Sequence, residues 1–125
     1  MDNKRVNYIT DKDNGVVVAE IDGCYFDAEN MINNKFIPCV TSGMQISNTY
    51  NHSKFDMNRK YKAVAKLHPE DEWNEQRGKA IACDRLTETY HNSMNKRLAK
   101  YVDDFRKIAD NIEKYLNERH FYDNN

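Results

Sequence analysis

Along this chain, hydrophobic and polar positions alternate every second residue at first, and later follow a helical period. In Arg5-Val6-Asn7-Tyr8-Ile9-Thr10, Val6 and Tyr8 share one face, the pattern of a half-buried strand. Asp11-Lys12-Asp13-Asn14-Gly15 is turn chemistry, with Asn-Gly supplying the positive φ angles of a hairpin. Val16 to Ile21 reads as a second strand, and its β-branched content suits a central position. Asp22-Gly23 makes another turn into Cys24-Tyr25-Phe26, a short third strand or an extension of the second. Asp27 to Asn34 predicts one or two helical turns capped by Asp27. Phe36 to Val40 suggests a short strand that Pro38 ends or confines to an edge. Residues 41–58 read as a long polar loop, with a β segment near Met44-Gln45-Ile46; such a loop is either a binding element or disordered.

Period-two alternation returns in Arg59 to Leu67. Tyr61, Ala63, Ala65 and Leu67 fall on one face, and Lys60, Lys62, Val64 and Lys66 on the other. The lysines suit an edge strand guarded against unwanted pairing. Pro69 ends it, Asn74 is a good N-cap, and the acidic cluster Glu70, Asp71, Glu72, Glu75 sits where a helix start favours negative charge. From about residue 74 to 119 the pattern is helical. Met94, Leu98, Tyr101, Phe105, Ile108, Ile112 and Tyr115 are spaced 4-3-4-3-4-3, a seam of coiled-coil type. Upstream, Ala80, Cys83 and Tyr90 continue that phase, Thr87 dilutes it, and Ile81 and Leu86 form a second apolar line. The first half of the helix should therefore cover the sheet, and the second should meet another helix. An unbroken run of this length would be nearly 70 Å long, more than one small domain covers. Either it breaks near His91-Asn92-Ser93 and Asn95 into a helical hairpin, which the polar run favours, or the distal arm pairs with a second chain.

The implied fold class is α+β: a small antiparallel sheet of three to four strands packed by a helix, with a long or broken C-terminal helical arm. The 125 residues make one domain, with 1–91 as sheet-plus-helix core, 92–119 as arm and 120–125 as tail. The 19 Lys+Arg balance 20 Asp+Glu, which argues against a general nucleic-acid binder and against an acidic DNA mimic. Locally the balance fails: Lys60, Lys62 and Lys66 precede the acidic cluster. The longest apolar run, Val16-Val17-Val18-Ala19, is too short for a membrane span, and no signal-peptide pattern follows Met1. A cytoplasmic protein of a bacterial host is the expectation, and the 16 asparagines fit an AT-rich genome.

Candidate chemistry is sparse. Cys24, Cys39 and Cys83 form no CxxC and read as reduced thiols; His52, His68, His91 and His120 show no zinc spacing. Neither a phosphate-binding glycine loop nor a nucleophile elbow is present, so no catalytic residue, metal or cofactor is assigned. Tyr50, Phe55 and Tyr61 near the lysines could make a nucleic-acid surface, which the acidic cluster opposes.

The segment from Lys62-Ala63-Val64-Ala65-Lys66-Leu67 through His68-Pro69-Glu70-Asp71-Glu72-Trp73 to Asn74-Glu75-Gln76-Arg77-Gly78-Lys79-Ala80-Ile81-Ala82 resembles one in many small uncharacterised proteins of Firmicutes and their phages. Its layout is similar to the strand-to-helix junction of double-stranded-RNA-binding-like folds, and it carries no functional residues across. Physically, Asn74 caps, Gly78 lets the helix lie close against a strand, and Trp73 fills the corner. The junction is a folding device, or else His68 with Glu70 and Asp71 forms a polar site at the helix entrance.

The resulting expectation is a non-enzymatic binding protein of phage or mobile-element type that contacts a host or defence protein. Inhibition of a bacterial defence nuclease, as anti-CRISPR proteins do, is one concrete form. Lys60, Lys62, Lys66 and Glu70, Asp71, Glu72, Glu75 are the candidate partner surfaces, and the seam from Met94 to Tyr115 is the candidate homodimer contact. The alternative is a small nucleic-acid-binding regulator using strand 59–67.

Overall fold

The computed structural model describes residues 5–36 and 55–118. They form strand β1 (Asn7–Asp11), strand β2 (Val16–Ile21), helix α1 (Asp27–Met31) continued by a π-helical turn (Ile32–Phe36), strand β3 (Tyr61–Lys66) and helix α2 (Glu75–Asn117). Three strands, in the order β1-β2-β3 and antiparallel throughout, make up the sheet among the described residues. The β-branched strand β2 is central, and among the described residues the lysine-bearing β3 is an edge.

The hairpin closes where Asn-Gly predicts it. Gly15 has φ +66°, and the Asp11 carboxylate accepts from the Asn14 backbone N–H at 3.2 Å and its side-chain amide at 2.7 Å. Those bonds, the side-chain one foremost, hold the Asp11 carboxyl below its usual range. Beyond β3, the Leu67 N–H donates to the Gly15 carbonyl at 2.8 Å and ties the β3–α2 junction to this turn.

Every second residue of β2 and β3 faces α2. Val17, Ala19, Ile21, Tyr61 and Ala65 are buried there against Gly78, Ala82, Leu86, Tyr90 and Met94 of the helix. The helix meets the sheet along an i, i+4 row. Of the upstream positions in the heptad phase, Tyr90 is buried, but Ala80 is exposed and Cys83 only half-buried, so the phase does not extend as far as its spacing suggested. A sheet offers no holes of coiled-coil spacing, and a helix laid across it uses the ridge of fourth residues instead. Gly78 makes the closest approach: a Cβ there would lie 2.6 Å from Val17 Cγ2. Asn74 caps α2 by accepting from the Arg77 N–H at 3.0 Å, and Trp73 packs half-buried at the corner.

Other expectations are corrected too. Cys24-Tyr25-Phe26 is a turn rather than a strand, because the Asp27 N–H donates to the Cys24 carbonyl at 3.1 Å and starts α1. Phe26, not Asp27, is the N-cap residue of α1 and caps with no side chain; the Asp27 carboxylate accepts from the Tyr90 hydroxyl at 2.7 Å instead. Phe36 ends the π-helical turn rather than starting a strand. The rest of the strand expected over 36–40 and residues 41–54 of the loop expected over 41–58 lie outside the described residues, while Phe55 and Met57 at the end of that loop are buried in the core.

In place of the expected break, α2 runs unbroken for 43 residues, through the polar stretch at 91–95. At about 1.5 Å per residue it is about 65 Å long. Asn92 and Asn95 face solvent, Met94 is buried in the core, and Ser93 bonds outward to Tyr61 and Arg97. Thr87 and Thr89 return their hydroxyls to the carbonyls of Cys83 and Arg85 at 2.9 and 3.0 Å. Each polar side chain is thus satisfied without leaving the helix, and neither proline nor glycine follows Gly78 within it.

Candidate functional site

The seam divides into two parts. Met94 is buried, and Leu98 and Tyr101 pack partly against the core. The Tyr101 ring lies 5.8 Å from buried Phe55 and stacks at 4.3 Å on Phe105. Among the described residues, Tyr101 is the last side chain of α2 packed against the core cluster. Val102 is 44% exposed, Ile108 43%, Ile112 55%, Tyr115 44% and Leu116 65%, so large, largely exposed apolar side chains line one side of the C-terminal part of α2. From residue 102 to the end of α2 is about 24 Å of helix. Val102 and Leu116 lie outside the 4-3 seam, which is why seam spacing missed them. Their signal was a seven-residue repeat, Val102, Ala109, Leu116, along the flank of the seam.

What aims this arm is a polar network with no signature in the sequence. Arg97 donates from Nε to the Asp56 carbonyl at 3.1 Å and from Nη1 to Ser93 Oγ at 2.9 Å. Ser93 Oγ shares a hydrogen bond with the Tyr61 hydroxyl, whose oxygen accepts the Asn58 N–H at 3.0 Å. The Tyr25 hydroxyl donates to the Asp56 carboxylate at 2.6 Å, a bond that raises the Tyr25 phenol above its ordinary range. Burial, then the bond to Asp27, pushes the Tyr90 phenol up further. Segment 55–61, the start of α1 and the middle of α2 are pinned together where the helix leaves the core. A break at residues 91–95 would cost this whole network, and partly satisfied polar networks are expensive.

The other predicted surfaces do not converge. Lys60 and Lys62 both reach Glu20 on the neighbouring strand, at 3.9 and 4.0 Å, so one carboxylate offsets much of the basic row. Lys66 lies at the opposite end of β3 and lines an open cleft of about 350 Å³ with Lys12, His68, Asp71 and Trp73. His68 Nδ1 accepts from the Glu70 N–H at 3.3 Å, a bond local to the turn. Glu75 pairs with Lys79 at 3.6 Å, one helical turn on, and Glu70, Asp71 and Glu72 are exposed around the junction. Among the described residues no three His, Cys, Asp or Glu side chains are grouped so as to hold a metal ion, and no helix is long and apolar enough to cross a membrane.

The outer sheet face carries one β-branched residue per strand in register, Ile9, Val18 and Val64. Ile9 is 56% and Val64 48% exposed, a smaller apolar patch than the arm and hemmed in by the lysines. The edge of β3 is guarded twice, by those lysines and by Arg85, which reaches from α2 to donate to the Val64 carbonyl at 2.7 Å. Compared with known proteins, the chain matches no family model, no curated protein and no solved structure.

Proposed function

We propose that this chain is a non-enzymatic binding protein that works through protein–protein contacts made by the projecting half of α2. One observation carries the reading: five large apolar side chains, each 43–65% exposed, line one side of the C-terminal part of α2. Contiguous exposed apolar surface of this kind marks interaction sites. At about 25 cal/mol per Å² of apolar surface, covering it is a strong drive toward a partner. The helix is also anchored firmly enough at Ser93 and Arg97 to present the face in a fixed direction.

For the setting we take the bacterial cytoplasm, with a host or defence protein as target and inhibition of a defence nuclease as its concrete form. The resemblance of the β3–α2 junction and the composition support that part. The test immobilises the chain and its Ile112→Asp variant and exposes both to host-cell lysate. The wild type is expected to retain a protein, a second copy included, that the variant loses. Equal retention by both, or none by either, would overturn the reading. For the inhibitor form, the wild type should relieve nuclease restriction of a challenge plasmid and the variant should not.

A further inference from the structure

We infer that the arm is covered by a second copy of this chain, lying antiparallel along it in a register centred on Asp110. This deepens the protein-binding reading above and rests on it.

The two flanks of the seam are segregated by polarity. Phe105, Ile108, Ile112 and Tyr115 form its centre line. On one side stand Val102, Ala109 and Leu116; on the other stand Asp104, Asn111 and Glu118. In a parallel helix pair each flank faces the opposite flank of the partner. Asp104 would then press on Ala109 of the second copy, and Asn111 on Leu116. Reversing one helix sets like flank against like, apolar on apolar and polar on polar. Only the antiparallel pair covers Val102 and Leu116, which are 44% and 65% exposed.

One register matches the side chains pair by pair. Centring on Asp110 sets Phe105 opposite Tyr115 of the second copy and Ile108 opposite Ile112. The apolar flank then pairs Val102 with Leu116 and Ala109 with its own equivalent. Each of the large exposed apolar residues of the arm meets an apolar partner. The arrangement also fits the bodies of the two molecules. Leu98 and Tyr101 are already packed on their own core, so a parallel pair would drive both cores together at one end. The antiparallel pair leaves the cores at opposite ends.

Size and charge complete the case. Covering the five exposed side chains removes on the order of 450 Å² per chain, so about 900 Å² in a pair before basic side-chain stems are added; a specific interface needs roughly 1,000 Å². The pair therefore belongs to the weak, concentration-dependent class. Its cost is Asp104 beside Glu118 of the second copy, two like charges on the polar flank. Lys100 and Lys107 lie around Asp104, and Lys114 is 3.9 Å from Glu118, which softens the cost. Asp103, Asp104, Asp110, Glu113 and Glu118 outnumber Arg106, Lys107 and Lys114 along the arm, so added salt should strengthen the pairing.

The test is cross-linking between different positions. Cys39→Ser and Cys83→Ser are introduced together, Cys24 staying because it is fully buried. Val102→Cys and Leu116→Cys are then made separately in that background. Under mild oxidation the mixture is expected to give a covalent species at twice the 14.8 kDa chain mass, while each variant alone stays single. Self-linking of either variant, or no link in the mixture, overturns the register. Both sites are exposed, and circular dichroism of each variant checks that its helix is kept. The unmodified chain supplies a second readout by light scattering in about 0.05 M and about 0.5 M salt. A dimer fraction that rises with salt supports the pairing; a single-chain mass at both salts overturns it, as does a dimer that salt dissolves. Ile112-dependent capture of a different protein is untouched by these outcomes, so the broader reading stands or falls separately.

Discussion

Replacing Gly78 by alanine probes how tightly α2 is laid on β2. The new Cβ would sit 2.6 Å from Val17 Cγ2 and 3.5 Å from Val17 Cβ. Carbon atoms in good contact are about 3.5–4.0 Å apart, so the helix or Val17 must move by close to an ångström. Val17 has little freedom to do so. It is fully buried in the central strand, paired with Thr10 on one side and Ala65 on the other, and its β-branched χ1 is stiff. Two terms oppose each other. Alanine gains up to about 1 kcal/mol of helix propensity over glycine, less in the first turns. Overpacking a close-packed site costs about 1–3 kcal/mol. The packing term wins, and Gly78→Ala should lose about 1–2 kcal/mol, or roughly 4–10 °C in Tm. Urea and thermal unfolding followed by circular dichroism measure this directly. Val17→Ala should lose about 2–3 kcal/mol alone, yet the double variant should be little worse than Val17→Ala, a coupling of about 1–2 kcal/mol. A Gly78→Ala chain as stable as wild type, or an additive double variant, would refute the close-approach argument.

Further outcomes follow from the same geometry. Asn74→Ala removes the side-chain acceptor that caps α2 and should lower unfolding free energy by about 1 kcal/mol in urea, whereas Asn74→Asp should keep it. Tyr90 holds its proton more tightly folded than unfolded, so its contribution is intact below the ordinary phenol value of 10.0 and is lost as pH rises past it. Denaturant midpoints across the alkaline range should fall less steeply for Tyr90→Phe than for wild type; identical slopes would contradict the assignment. Glu20 lies between Lys60 and Lys62, so labelled duplex or single-stranded nucleic acid should not shift at low salt. A shift that Lys60→Glu with Lys62→Glu abolishes would favour the regulator reading instead.

The sheet was legible in the sequence because its signals are local. Asn14-Gly15 fixes a turn, alternation in 59–67 fixes which side of β3 is buried, and Asn74 with Gly78 marks a helix start set close to a strand. Failures came where a local pattern had to be judged against distant partners. Asn92, Ser93 and Asn95 look like a break only if Ser93 lacks Tyr61 and Arg97, which reach it from 32 residues upstream and from the next helical turn. Ala80 and Cys83 look like seam residues until the helix is seen to lie on a sheet, where the ridge at 78, 82, 86, 90 and 94 is the one buried. Of the candidate site, the centre line from Phe105 to Tyr115 was visible as spacing. Its flank, Val102 and Leu116, matters only once α2 is continuous and free of the core.

The most direct test of the arm as a binding face is its mass in solution across a concentration series, beside Ile112→Asp. Ile112 is 55% exposed and, among the described residues, belongs neither to the core cluster nor to the side chains packed against it, so the variant should melt with the wild type. The wild-type mass should climb from 14.8 kDa toward twice that value, and the variant should stay at the mass of one chain. A wild-type mass fixed at one chain up to about 1 mM, where even weak pairs populate, would contradict the assembly, as would a variant that pairs as well as the wild type.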